Sequence, residues 1–215
     1  MKIPILLVIY FCFITCNNDK SGSRKQVTST DTFFKSDIPI DLYGENVAFE
    51  YVKKLEIKVG LKPIAKGFDS IQIRIWNVYE IPVGNSWDAG VQLLTLSIEN
   101  NQWQGKYYKI SFREKDKVVD TIVSMQTVRP NDGWNNLISS LRKMRLWTLP
   151  QMAEISDPKI TFVLSKPVVV EIAERKLYRI YEYVNISEFI NTSADAAEMN
   201  EILKFVEREF DLKWL

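Results

Sequence analysis

Three kinds of side chain in this 215-residue sequence can do chemistry: carboxylates, aromatic rings and a cysteine near the start. Histidine is absent, and the only cysteines are Cys12 and Cys16. Ser-His-Asp triads, Cys-His nucleophiles and metal sites built on imidazole or several thiolates are therefore excluded. No metal or cofactor is expected. An enzyme would have to rely on paired carboxylates, as glycosidases do. Asp88, Asp120 and Glu171 are candidates, but linear spacing cannot pair them in space. An Asp or Glu on a strand face most often simply solvates it. No catalytic residue is assigned.

The rings are plentiful: six Trp, nine Tyr and eleven Phe. Trp76, Tyr79, Trp87, Trp103 and Tyr107 gather around the first three predicted strands and the stretch Ile81–Gly90, read as a loop longer than a tight hairpin needs. Rings of this kind can stack on sugars or fill a partner's pocket. Trp87, in GNSWDAG, is the leading candidate binding residue, with Trp76, Trp103 and Tyr79 beside it. The competing role, capping the core and the strand edges, is the weightier one for strand-loving Trp and Tyr. Trp134 follows Pro130–Gly133 and shares an apolar stripe with Leu137, Ile138 and Leu141, so it is expected to be structural.

Other polar groups have ordinary explanations. Asn131-Asp132-Gly133 lacks the alternating oxygens and distal Glu of a calcium loop, and Asp132 is expected to cap a helix. Arg142, Lys143 and Arg145 come late in that helix, where cations are favoured by its dipole. Asp69-Ser70-Ile71 and Asp120-Thr121-Ile122 resemble the short Asp-Ser/Thr-aliphatic O-glycosylation pattern of Bacteroidota, a pointer to compartment only.

Cys16 carries the sharpest signal. Met1-Lys2 forms a minimal positive start, Ile3–Ile14 is an apolar run, and Asn17-Asn18-Asp19 follows the cysteine directly. The run is too short to span a bilayer, which takes roughly 20 residues as a helix, but it suits the apolar core of a signal peptide. A cysteine at its end is the arrangement of a bacterial lipoprotein signal, whose thiol is acylated before cleavage. Phe13-Ile14-Thr15 departs from the usual Leu and very small residue. Cys12 is a poorer acceptor because Tyr10 and Phe11 are bulky. The expectation is a signal peptide over 1–15, acylation of Cys16 and a polar tether over 16–36, favoured over a conventional signal peptide or an uncleaved anchor. Which membrane and leaflet stays open.

Lys plus Arg number 28 and Asp plus Glu 27, and removal of residues 1–15 takes Lys2 with it. A mature chain without net charge has no global field for nucleic acid, so no nucleic-acid partner is expected. Hydrophobic residues at 46% and charged ones at 26% are an ordinary globular balance.

The elements that must position these groups follow from periodicity. Val47, Ala48, Tyr51, Val52 and Leu55 predict a helix over 44–58, stopped by Gly60 and Pro63. Period-two alternation then predicts strands at Ile71–Ile75, Leu94–Ile98, Tyr108–Phe112 and 118–128, each with one buried and one solvated side. Asn100-Asn101 and Lys115-Asp116 supply tight turns. After the helix from Trp134, strands are predicted at Thr161–Leu164, Val168–Glu174 and Leu177–Val184, with a turn at Arg175-Lys176. A last helix covers 194–210, with Asp195 and Glu198 as a capping box. The expected fold is a single α+β domain over 37–215. Its antiparallel sheet is a four-stranded meander plus a C-terminal hairpin or three strands, with about three helices packed on it.

This order of elements resembles that of small uncharacterised envelope lipoproteins of the Bacteroidota. The segments IQIRIW, GWNNLISSLRKMRLWTLP and VVVEIAERKLYRIYEY carry the resemblance. They are core and turn residues, so the resemblance implies an address and a fold type and brings no activity. The expected role is a lipid-anchored envelope protein acting as a non-enzymatic binding or interaction module for a protein or a glycan. The alternative is a carboxylate-dependent hydrolase of envelope polysaccharide.

Overall fold

In a computed structural model of the chain, the residues described are 35–39, 47–83, 86–115, 118–152 and 167–214. Cys16, the signal, most of the expected tether and the strand expected at Thr161–Leu164 lie outside them. Contacts divide the chain into Met1–Phe33 and Phe34–Leu215, and every described residue belongs to the second unit.

Its elements are β1 (Lys35–Asp37), α1 (Val47–Lys58), β2 (Phe68–Val83), β3 (Ser86–Glu99), β4 (Gln102–Lys115), β5 (Val118–Val128), α2 (Trp134–Lys143), β6 (Pro167–Arg175), β7 (Leu177–Val184), α3 (Ile186–Phe189) and α4 (Ala194–Phe210). This is an α+β fold. The seven described strands form one sheet in the order β1-β7-β6-β2-β3-β4-β5. Strands β2 to β5 are consecutive antiparallel neighbours, and β6 and β7 form a hairpin. The sheet is nevertheless mixed, which corrects the expected antiparallel one. Lys35, Ser36 and Asp37 pair in parallel with Leu177, Tyr178 and Arg179, and Arg179 Nε holds Asp37 Oδ2 at 2.9 Å. A three-residue strand has no periodicity to read. Lys35 and Ser36 sit at the end of the stretch expected as tether.

The larger correction concerns the faces of the sheet. Side chains alternate across a pleated strand, so Ile73, Ile75, Leu94 and Leu96 share one face and Trp76, Leu93 and Val91 the other. Both sets are buried, in two separate cores. The first core is closed by α2, α3 and α4, through residues such as Leu137, Leu141, Met199 and Val206. The second is closed by α1, through Ala48, Val52 and Leu55. Arg74, Thr95 and Ser97, expected on solvated faces, are buried with them. The opposite happens on β5, where Ile122, Val123 and Met125 are exposed. Among the described strands β5 lies at the sheet's edge, flanked on one side only.

Helix ends follow local rules with two corrections. At the end of α1, Gly60 takes φ +70°, its N–H donates to Ile57 O and that of Leu61 to Glu56 O. This is a Schellman ending, for which a left-handed glycine is the favoured residue. Asp132 does not cap α2; the cap position is Gly133, with no side-chain hydrogen bond. Nor do Asp195 and Glu198 form a capping box. The cap of α4 is Ser193, whose side chain accepts from Ala196 N, and both carboxylates are instead turned to Arg145, at 3.2 and 3.0 Å.

Two glycines let rings lie flat on the sheet. A Cβ on Gly90 would fall 2.3 Å from the Tyr79 ring, and one on Gly105 would fall 2.8 Å from Val128 O and 3.0 Å from the Trp134 ring. Trp134 thus reaches the sheet because Gly105 has no side chain there. Gly105→Ala should therefore force the ring or β5 to shift, costing about 1–3 kcal/mol as overpacking does. A lowered melting temperature checks this, and an unchanged one would show that the ring is not held against β4.

Candidate functional site

The aromatic residues expected to cluster are split between the faces. Trp76 is fully buried beneath α1, and its indole N–H donates to Glu171 Oε2 at 2.7 Å. Tyr79, Trp103 and Tyr107 are on the opposite face by register. Tyr79 is buried over Gly90. Tyr107 is buried too, its hydroxyl accepting from Gln92 Nε2 at 2.6 Å, and desolvation pushes it up to about 12. The stretch Ile81–Gly90 is not a long loop: Val83 pairs with Ser86 and Pro82 with Trp87, so the pairing of β2 with β3 continues to these residues. The Trp87 side chain lies outside the described residues.

Of the described side chains in this group, Trp103 alone meets an open surface. It is half-buried and stacks on Trp134, with ring centroids 6.0 Å apart and planes 17° from parallel. The two rings flank a cleft of about 460 Å³, lined also by Gln102, Gln104, Thr127, Arg129 and Pro130. Three pieces of chain meet here: the start of β4, the end of β5 and the turn into α2. That turn is pinned to the end of α4, since Asn131 N–H donates to Glu209 O at 2.8 Å, Asn131 Nδ2 to Arg208 O at 2.9 Å and Asp132 N–H to Glu209 Oε2 at 3.1 Å. Trp134 also packs on Phe210 of α4, 6.2 Å between centroids.

The residues lining the cleft carry two indole rings, two primary amides, one hydroxyl and one guanidinium, although alternation along β4 and β5 turns the Gln102, Gln104 and Thr127 side chains to the face opposite Trp103. It offers apolar indole faces for stacking, with the Arg129 guanidinium nearby. None of the described residues lining it is a carboxylate. Sequence reasoning named Trp103 but treated Trp134 as core only, and passed over Gln102, Gln104, Thr127 and Arg129. The signal available was the alternation through Gln102-Trp103-Gln104, whose opposite neighbours only the fold supplies.

Of the candidate carboxylates, the two with described side chains, Asp120 and Glu171, do not come together. Asp120 is exposed on the edge strand β5, the Asp88 side chain is outside the described residues, and Glu171 is fully buried in the middle of the sheet. Glu171 accepts from Trp76 and from the Tyr178 hydroxyl, each at 2.7 Å, and lies 4.0 Å from Arg74 Nη1. Arg74, only 1% exposed, pairs with Glu56 of α1 and donates from Nη2 to Lys62 O at 2.6 Å. Two carboxylates thus share one guanidinium away from water. Burial, and then the charge of Glu171, pushes Glu56 up to about 7 against the pull of Arg74, and burial raises Glu171 as well. Near neutrality the pair retains a proton. This cluster holds α1 to the sheet and offers a ligand no access.

Of the cations expected late in this helix, Arg142 stacks over Trp147 at 4.3 Å and approaches Glu174 at 3.9 Å, while Arg145, beyond the end of α2, holds Asp195 and Glu198. Among the described residues no group of three or more His, Cys, Asp or Glu is placed to hold a metal, and no helix is long and apolar enough to cross a membrane.

The buried carboxylates set a pH dependence. Unfolded, Glu56 titrates near its ordinary value of 4.5; folded, it keeps its proton to about 7. Between these values the folded chain binds more protons than the unfolded one. Stability is therefore full below that window and falls as pH rises through it. The melting temperature should be higher near pH 5 than near pH 8, and Glu56→Gln should shrink the difference. A difference of the same size in Glu56→Gln would show that the cluster is not its source.

No family model matches the chain, and neither does any curated protein or solved structure.

Proposed function

We propose that this chain is a lipid-anchored protein of the bacterial cell envelope that acts as a non-enzymatic glycan-binding module. The apolar run ending at Cys16 and the polar residues behind it support the anchor. The single observation that carries the binding role is the cleft beside Trp103 and Trp134, with Gln102, Gln104, Thr127 and Arg129 around it. Sugar rings present apolar C–H faces and a rim of hydroxyls. Indole rings bind the first, and a guanidinium such as that of Arg129 binds the second. A glycosidase needs two carboxyl groups flanking the scissile bond, roughly 5–9.5 Å apart. The described lining residues supply none, so binding is favoured over hydrolysis.

Two experiments test the proposal. Membrane-extracted protein should bind polysaccharide from its own envelope, and Trp103→Ala should weaken that binding about tenfold, or ~1.4 kcal/mol. Gln104→Ala, which leaves the ring pair intact, should weaken it less. Binding unaffected by both changes would place the ligand elsewhere, and bond cleavage by the wild type would restore the hydrolase. Separately, Cys16→Ser should abolish incorporation of a fatty-acid analogue and leave uncleaved precursor. Undiminished label on that variant would remove the anchor.

A further inference from the structure

The two edges of the sheet differ. One ends in the three-residue β1, whereas the other ends in β5, eleven residues long. Edge strands present a row of unpaired N–H and C=O groups, and proteins usually guard them with charge, proline, bulges or shortness. Strand β5, VVDTIVSMQTV, has no proline, no lysine and a single charge, Asp120. Its register with β4 runs from Val118 to Val128 without a shift. Among the described residues the exposed large apolar side chains are Ile57, Ile122 at 43%, Val123 at 40% and Met125 at 55%. Three of the four lie on this one strand, on both of its faces.

We propose that β5 pairs with β5 of a second copy of this chain, antiparallel about a two-fold axis through Ser124. The inference is independent of the glycan reading. What selects a second copy is that the strand complements its own reverse. Counting outward from Ser124, Val123 meets the partner's Met125, Ile122 meets Gln126, Thr121 meets Thr127 and Asp120 meets Val128. On one face this gives Val–Met and Thr–Thr pairs, each occurring twice by symmetry, and such cross-strand pairs are stabilising. The charged groups at the two ends, Asp120 and Arg129, fall opposite residues 128 and 119, so no like charges oppose. A slip by one residue would break both the Val–Met and the Thr–Thr pairs. With a formal net charge of +1, two copies also approach without long-range repulsion. The outward backbone groups of β5 find partners, and the three exposed apolar side chains are covered.

The register makes the test specific. Directly opposed residues of an antiparallel pair have Cα atoms about 4.5–5.5 Å apart, within the reach of a disulfide. Ser124→Cys in the full chain, oxidised in native membranes, should give at least tenfold more disulfide-linked homodimer than Gln126→Cys. The latter's cysteine meets residue 122 rather than its own copy. Ser187→Cys, exposed on α3, is the control for random collision. Adding Val123→Lys to Ser124→Cys should remove the cross-link. Equal cross-linking at positions 124, 126 and 187, or a product with a foreign protein only, would overturn the proposal. So would wild-type protein that sediments as a monomer after gentle extraction.

Discussion

A guanidinium held between two carboxylates, inside a sheet covered on both faces, is the constraint on which the architecture depends. Strand β2 is the middle of the seven, and Arg74 sits on it with Glu171 of β6 directly opposite in register. Helix α1 brings Glu56 to Arg74 and is followed by the Lys62 carbonyl that accepts a second bond. Uncompensated, each buried ion would cost several kcal/mol. Docking of α1 and burial of the charges are therefore one event. The indole of Trp76 and the hydroxyl of Tyr178 complete the shell of Glu171, which fixes the orientation of two of the largest side chains in that core. With two acids against one base, a retained proton balances the site.

The opposite face is secured differently, by tyrosine hydroxyls and an arginine gripping backbone carbonyls. Tyr181 donates to Leu146 O at 2.6 Å, Tyr183 to Pro150 O at 2.8 Å and Arg179 to Trp147 O at 2.8 Å. These carbonyls lie just past α2, where the chain has left regular helix and its backbone groups need partners. The helix is thereby held at one end by β7 and at the other by Trp134 on Gly105. The cleft inherits its rigidity from this. Its wall is an indole fixed by a glycine, and its rim is a turn fixed by the end of α4.

The sheet's asymmetry bears on interaction. One margin is closed by a short parallel strand tied down through Asp37 and Arg179. The other is long, regular and almost uncharged, and it runs into the cleft at Thr127 and Arg129. Cleft and open edge are therefore neighbouring features of one end of the molecule. One has the polar and aromatic mixture of a ligand site, the other the backbone row of a pairing surface.

Periodicity by itself determined most of the elements: the helix before Gly60, strands β2 to β5, the β6–β7 hairpin and the last helix all follow from local spacing of apolar residues. These signals are local because side-chain direction repeats every two residues in a strand and about every 3.6 in a helix. The absence of histidine and the placement of Cys16 are also properties of the sequence alone. Tertiary structure decided what each face meets. Arg74 and Thr95 read as solvated because polar residues at alternate positions usually are, and only the docking of α1 shows them buried and, for Arg74, paired. Val123 and Met125 read as buried because they are apolar, yet strand order leaves them at an edge. Trp103 and Trp134 lie far apart in sequence, and only the register of β4 with β5, with Gly105 between, makes them neighbours. Burial and pairing depend on which strands become neighbours, and strand order is set by the summed fit of the whole chain, which no local pattern contains.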